Sequence, residues 1–310
     1  MVNPLLDYAR RAELSVKLPS NCSWYPENMI KYTLNGEVEV YPMTPKDELT
    51  LMNPDSLLSG EANIKLIESC VPSVSNAGQL LYPDANLLLL AIHKATYGNK
   101  MTINFICPKC AEKALLIKDE SKIAEAEKNG ELLIRTQETE IKIDEFLQNI
   151  TFLDNEYIYE TSNGLKIFYS PTLLRDKLYY GLIEFNNQKL LNYFKDYNFE
   201  EYNLQEDKKQ ILSQVNDIYL NINDEGNKLI TDCIRYIQLP DGSFIDDKEL
   251  ILEYISQTKS TIVKELHQKI RELNDIGITQ EVEHCCDCCG HTFSEKLVGY
   301  NQVDFFGYGS

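Results

Sequence analysis

Ile106-Cys107-Pro108-Lys109-Cys110 and, far downstream, His284-Cys285-Cys286-Asp287-Cys288-Cys289-Gly290-His291-Thr292-Phe293 are the stretches on which the fold turns. Each holds a Cys-x-x-Cys with the flanks of a zinc knuckle, Pro108 inside the first turn and Gly290 directly after the second. In such a turn two thiolates converge on one metal, and a glycine after the second cysteine lets the backbone pass close to the sulfurs. Structural zinc takes four ligands, and two pairs supply four. The expected set is therefore Cys107, Cys110, Cys286 and Cys289 around one structural Zn2+.

The register of the second pair is open from sequence alone, because Cys285-x-x-Cys288 has the same spacing. Gly290 favours Cys286 and Cys289. His284 or His291 could replace a cysteine, but four thiolates need no histidine, so His291 reads as a neighbour of the centre or as an exposed side chain. Closing the chain between the two clusters, a loop of about 175 residues, costs on the order of 5 kcal/mol, against roughly 10–16 kcal/mol from binding structural zinc. The metal wins, and the chain between can fold as an insertion. The alternatives are two unrelated reduced thiol pairs, or a redox pair, which would want a thioredoxin-like βαβ setting that is absent.

Composition narrows the rest. The net charge of −18 over 310 residues argues against general affinity for nucleic acid or anionic membranes. Met1 to Leu18 lacks the basic-then-apolar pattern of a secretory signal, and the most apolar run, Leu87 to Ile92, is too short to cross a bilayer. A soluble protein kept in a cytoplasm is expected, where nine cysteines do not build a disulfide framework. Cys22, Cys70 and Cys233 stand alone and read as small buried apolar residues.

Along the chain, Asn35-Gly36 followed by Glu37-Val38-Glu39-Val40 predicts a hairpin turn and strand. Thr44-Pro45-Lys46-Asp47 predicts a capped helix start. Asp84 is expected to open a helix carrying Leu87 to Ile92 and ending at Gly98. Met101, Ile103 and Phe105 alternate as a strand running into Cys107. Lys113 to Lys118 reads as the returning strand, with the cysteine turn at the hairpin tip.

Ser121 to Gly130 reads as a short helix or linker at a boundary. After a β-like passage at Leu165 to Tyr169 the pattern becomes helical, beginning at Ser170-Pro171. Four apolar stripes follow: Leu174, Leu178, Leu182 and Phe185; Ile211, Val215, Ile218 and Ile222; Ile230, Ile234 and Ile237; Ile262, Leu266, Ile270 and Leu273, ending near Gly277. Each is expected to line a helix-bundle core. Pro240-Asp241-Gly242 is a turn, and Asp246 with Glu249 a cap. The fold class is thus α+β: a zinc-containing mixed domain from residues 1–119 and 283–310, with a mainly helical insertion at 120–282.

No active site is legible. Glu265-Leu266-His267 lacks the second histidine of a zinc-hydrolase helix, no phosphate-cradling glycine loop occurs, and a four-thiolate zinc leaves no position for water. His267, beside an apolar stripe, reads as a structural histidine, and Asp246-Asp247 as helix-start charges.

Asn3-Pro4-Leu5-Leu6, Lys17-Leu18-Pro19-Ser20, Val40-Tyr41-Pro42-Met43-Thr44-Pro45-Lys46-Asp47-Glu48, Asn53-Pro54-Asp55-Ser56-Leu57-Leu58-Ser59-Gly60, Ala95-Thr96-Tyr97-Gly98, Cys107-Pro108-Lys109-Cys110 and Cys289-Gly290-His291-Thr292-Phe293 together resemble the baseplate hub protein family of T4-like contractile-tailed bacteriophages. The resemblance is dense over 1–110 and returns at the second cysteine cluster and at Phe305-Phe306-Gly307. It implies a non-enzymatic tail protein, needed to build the baseplate central hub, either retained in the virion or acting as a chaperone for hub and tape-measure proteins. Its implied partners are other tail, hub or tape-measure proteins, without nucleic acid or membrane. Its implied locations are the host cytoplasm during assembly and the virion tail baseplate. A zinc-ribbon nucleic-acid binder is the less favoured alternative. Val303-Asp304-Phe305-Phe306-Gly307-Tyr308 reads equally as an anchor for a partner or as a segment docking on its own chain.

Overall fold

The computed structural model describes residues 10–53, 56, 59–115, 137–195, 205–278 and 281–296. They form a mixed α+β fold of helices and four small antiparallel sheets around two apolar cores and a cysteine cluster. The expected strand at 113–118, beyond Leu115, and the segments Ser121–Gly130 and 303–308 lie outside the described residues.

Helix α3 (Tyr82–Tyr97) is the axis of the first core. Its run Leu87-Leu88-Leu89-Leu90-Ala91-Ile92 is apolar on every side, and a helix of that kind must be surrounded. It is: all six residues are buried. The covering elements are strands β1 (Leu14–Val16) and β2 (Val38–Val40), helices α1 (Pro45–Leu51) and α2 (Glu61–Cys70), strands β3 (Lys100–Phe105) and β4 (Gln137–Lys142), and helix α5 (Ile143–Gln148). Between β3 and β4 lies α4 (Pro108–Leu115).

Helix α1 starts as the sequence predicts. The Thr44 side chain accepts from the Asp47 amide while Asp47 takes the Thr44 amide at 2.8 Å, a reciprocal cap worth about 1 kcal/mol, with Pro45 in the first turn. The Asn35-Gly36 turn also forms, with Gly36 at φ 73° and its amide on the Thr33 carbonyl. The Thr33 amide meets the Glu37 carbonyl at 2.8 Å across the turn, but no longer ladder extends from it. Strand β2 pairs with β1, Val38 opposite Val16 and Val40 opposite Leu14. The chain before the turn, Ile30-Lys31-Tyr32-Thr33-Leu34, alternates as well, but Ile30 bridges Val74 and Leu34 is exposed, so β1 supplies the partner of β2.

Asp84 does not open α3. The helix begins two residues earlier, and Asp84 is fully buried, reaching across to the segment before β2. Its carboxylate accepts the Ser20 amide at 2.9 Å and the Tyr25 hydroxyl, and that same hydroxyl accepts the Leu81 amide at 2.8 Å. The acid thus ties the 20–25 segment to the helix start instead of capping its own turn. Gly98 ends the helix at φ 91° as expected.

The largest correction concerns Cys107. Pro108 begins helix α4 rather than bending a hairpin, with the Ala111 amide bonded to the Cys107 carbonyl at 2.9 Å. Proline is pre-set for a first helical turn, and Ala111, Glu112, Ala114 and Leu115 are strong helix formers. The partner of β3 is β4, Met101 facing Ile141 and Phe105 facing Gln137.

The second core lies between helices and a four-stranded antiparallel sheet in the order β5 (Tyr157–Glu160), β6 (Lys166–Tyr169), β7 (Ile234–Gln238), β8 (Phe244–Ile245). Helix α6 (Leu174–Lys195) packs along α7 (Gln205–Cys233) and gives Leu174 to the first core, while α7, α8 (Lys248–Gln257) and α9 (Ser260–Asn274) line the second. Ile230 of the third stripe and Leu266, Ile270 and Leu273 of the fourth pack with this sheet rather than in a pure bundle, whereas Leu174 and Leu178 of the first stripe pack on the first core. Ile230 is on α7, whereas Ile234 and Ile237 are on β7, where a β-branched and aromatic run pairs with β6. On α6, which starts at Leu174 rather than at Ser170-Pro171, Leu174 is buried but Phe185 is 55% exposed. Of the second stripe, Val215, Ile218 and Ile222 are half-buried. Asp247, not Asp246, caps α8, accepting the Glu249 amide at 2.8 Å. His267 is exposed, and so is Cys22, while Cys70 and Cys233 are buried.

The two cores are stitched together. The Tyr82 amide at the start of α3 meets the Thr172 carbonyl at 2.8 Å, and the Thr172 hydroxyl lies 3.6 Å from Cys233 Sγ in the second core. Elsewhere Ile150 bridges Ile278 and the Leu153 amide meets the Pro19 carbonyl at 2.8 Å. Gly277, at φ 105°, passes so close that an added Cβ would sit 2.9 Å from the Pro19 ring. Beyond it β9 (Glu281–Cys285) and β10 (Thr292–Lys296) pair antiparallel, and Val282 returns to the first core. β4 and α5, within 120–282, likewise give Ile141, Ile143 and Phe146 to the first core. No described helix is long and apolar enough to cross a membrane.

Two buried groups on α3 make opposite demands on pH. Burial raises the Asp84 carboxyl from 3.8 to about 6, against the lowering bonds from Tyr25 and Ser20, and burial lowers His93 from 6.5 to about 4. Between about pH 4 and 6 the native chain keeps the Asp84 proton that the unfolded chain has lost, so this contribution falls as pH rises. Between about 4 and 6.5 the unfolded chain binds a His93 proton that the native chain refuses, so this contribution rises with pH. Each is worth about 3 kcal/mol over its window, and they offset one another. In urea titrations from pH 4 to 7, Asp84→Asn should gain stability relative to the unsubstituted protein as pH rises, and His93→Gln should lose it. Parallel profiles would refute both assignments.

Candidate metal centre

Strand alternation and helix start together aim two sulfurs at one point. β3 and β4 share a face on which Phe105 lies opposite Gln137 and Ile103 opposite Thr139. Two residues beyond the end of β3, Cys107 is buried, and Cys110 follows in the first turn of α4, also buried. The second pair comes from the β9–β10 connection. Alternation in β9 buries Val282 and His284 and turns Glu283 and Cys285 outward. Cys286 is then buried in the turn, which closes with the Gly290 amide on the Cys286 carbonyl at 2.8 Å and the Cys286 amide on the His291 carbonyl at 3.0 Å. Gly290 adopts φ 65°, the left-handed conformation that its lack of a Cβ allows.

The sulfurs of Cys107, Cys110, Cys286 and Cys289 all lie within 4.8 Å of one another. Cys107 and Cys289 are 3.6 Å apart, and Cys110 and Cys286 are 3.8 Å apart. A disulfide needs about 2.05 Å, and all described cysteines are free thiols. Four sulfurs at about 2.3 Å from a tetrahedral metal are separated by about 3.8 Å. The cluster has the spacing and the soft donor chemistry of a four-thiolate site. It draws in Cys286 and Cys289 from the second cluster, and leaves Cys285 and Cys288 exposed.

The histidines stand around the cluster. His284 is buried with its ring 4.1 Å from that of Phe105 and 5.4 Å from that of Phe293, and its Nδ1 is 3.1 Å from the Thr139 hydroxyl. His291 stacks on Phe293 at 5.9 Å. These aromatic contacts pack the β9–β10 ribbon on the β3–β4 ribbon and bring the cysteine pairs together.

Gln137 is a member of the site that motif reading passed over. Its Nε2 donates to Cys286 Sγ at 3.3 Å and to Cys288 Sγ at 3.6 Å, and its Oε1 accepts the Asp287 amide at 3.0 Å. The signal was present in Gln137-Glu-Thr139-Glu-Ile141-Lys, whose alternation puts Gln137 on the Phe105 face. The field at the sulfurs is uneven. Burial pushes the Cys110 thiol up, and its neighbours Cys289, Cys286 and Cys107 add to this. At Cys286 burial also works upward, but the Gln137 donor and the amides of Cys289 and Cys288 outweigh it and bring the thiol down to about 6. Four thiolates packed this closely repel one another unless a cation sits among them.

Exposure yields a test. In the native protein an alkylating reagent should label Cys22, Cys285 and Cys288 and spare Cys70, Cys107, Cys110, Cys233 and Cys286 until unfolding, as read by peptide mass mapping. Labelling of Cys286 ahead of Cys285 would refute this register.

No curated protein and no solved structure matches the chain. Residues 13–144, from the residue before β1 into α5, match the family described as T4 bacteriophage base plate protein, a span that carries Cys107 and Cys110 of the cluster.

Proposed function

We propose that this chain is a structural or assembly protein of a contractile phage tail, working in the central hub of the baseplate through contacts with other tail, hub or tape-measure proteins. The match of residues 13–144 to the base plate family carries this reading. The net charge of −18 favours protein partners over nucleic acid. In this reading Cys107, Cys110, Cys286 and Cys289 hold one structural Zn2+. The ion balances the thiolate charge and cross-links the two ribbons, and with four protein ligands it offers no position for a reacting water. The protein is then a non-enzymatic part, with a mixed body fastened by metal at 1–119 and 283–310, to which β4 and α5 add, and a mainly helical insertion in the rest of 120–282.

Quantitative mass spectrometry of purified virions tests the role. A baseplate component is expected at fixed stoichiometry with the other tail proteins. Presence only in assembly intermediates would make it a chaperone, and absence from both would refute the tail assignment.

The metal is tested separately. Purified protein should carry about one zinc per chain by elemental analysis, and Cys107→Ser, Cys110→Ser or Cys286→Ser should weaken binding on the order of 100-fold or more. Cys285→Ser should leave it unchanged. Equal loss in all four variants would refute the ligand set.

A further inference from the structure

We infer that Gln137 is the positioning residue that decides which cysteine completes the metal centre, holding Cys288 out of the fourth ligand place so that Cys289 fills it. The inference rests on the metal reading above. The second cluster carries four sulfurs for two places. Alternation in β9 disposes of Cys285, which faces outward at the strand end opposite Thr292. It does not reach Cys288 and Cys289, because the ladder has ended and both lie in the turn. Burial does not separate them strongly either, since Cys289 is itself only half-buried.

What distinguishes them is the Gln137 amide. Its Oε1 fixes the turn by taking the Asp287 amide at 3.0 Å, and its Nε2 lies between two sulfurs, 3.3 Å from Cys286 and 3.6 Å from Cys288. Cys286 is a member of the four-sulfur cluster and Cys288 is not. A donor shared in this way lets Cys286 keep its place in the cluster and gives the Cys288 sulfur a partner outside it. Gln137 can do this because β4 is a strand. Its register places the side chain opposite Phe105, on the face from which the chain runs on to Cys107. Loss of the amide frees the turn and leaves two adjacent sulfurs competing for one place.

A residue that merely supported the fold would make every defect worse, whereas a selector can be bypassed. Zinc affinity of the full chain, measured by competition with a chromogenic chelator, should fall in Cys289→Ser, because the clamp keeps Cys288 from substituting. The double variant Gln137→Ala/Cys289→Ser should bind zinc about tenfold more tightly than Cys289→Ser alone, the scale of one lost hydrogen bond to a charged sulfur. In zinc-loaded Gln137→Ala, alkylation at Cys288 should fall and at Cys289 rise, and added chelator should erase the difference. Circular dichroism of each variant confirms that it is folded. A double variant binding no tighter than Cys289→Ser, with the labelling pattern of Gln137→Ala unchanged, overturns the selection while the zinc reading stands. Failure of the unsubstituted protein to bind zinc overturns both.

Discussion

Four sulfurs that belong to chain segments 176 and 182 positions apart occupy one small volume, and the architecture is organised around that convergence. Neither Cys-x-x-Cys could hold a tetrahedral ion alone. For the pairs to meet, the chain must leave the first ribbon, build a second core and come back in register. The return is guided by contacts that are not sulfur at all: the Ile150–Ile278 bridge, the burial of Val282, and the His284 ring between Phe105 and Phe293. These establish approach and orientation, and a metal at the cysteines would then lock what packing has aligned.

The first core depends in turn on α3. A helix apolar all round gives its neighbours no preferred face, so polar groups fix the geometry. Asp84 does so at one end, buried and holding the Ser20 amide and the Tyr25 hydroxyl. A buried carboxyl is costly unless it is bonded, and here the bonds fasten the loop that lies over the helix start. Tyr25 passes the connection on to Leu81, and the adjacent Tyr82 amide meets the Thr172 carbonyl, whose residue touches Cys233 of the second core. The link between the cores thus rests on a small hydrogen-bonded cluster as well as on apolar contact.

The base plate family match and the cysteine cluster divide the molecule differently. Residues 13–144 carry most of the first core (though not its Phe146, Leu174, Ile278 and Val282) and two of the four clustered cysteines. The other two, and the whole second core, lie downstream. A scaffold built this way joins a family-like body to a helical and sheet extension through interlocked ribbons, which suits a part that acts by contact.

Local chemistry was readable in the chain itself. The Thr44–Asp47 cap, the Gly98 stop, the β3 alternation and the last helical stripe each depend on residues within a few positions of one another, and side-chain spacing alone determines them. The cysteine spacing marked each Cys-x-x-Cys pair for the same reason, although the two pairs meet across 176 and 182 positions. Other features needed tertiary structure. The helix at Pro108 replaced a returning strand because the true partner of β3 begins at Gln137. Ile234 and Ile237 left a helical stripe because a strand was waiting beside them. Asp84 turned from capping its own helix to holding a distant loop. The choice among Cys285, Cys286, Cys288 and Cys289 followed from which face of β9 is covered and where the Gln137 amide lies. Those outcomes are decided between segments far apart in sequence, where a hydrogen bond or a buried face depends on a partner that local pattern cannot name.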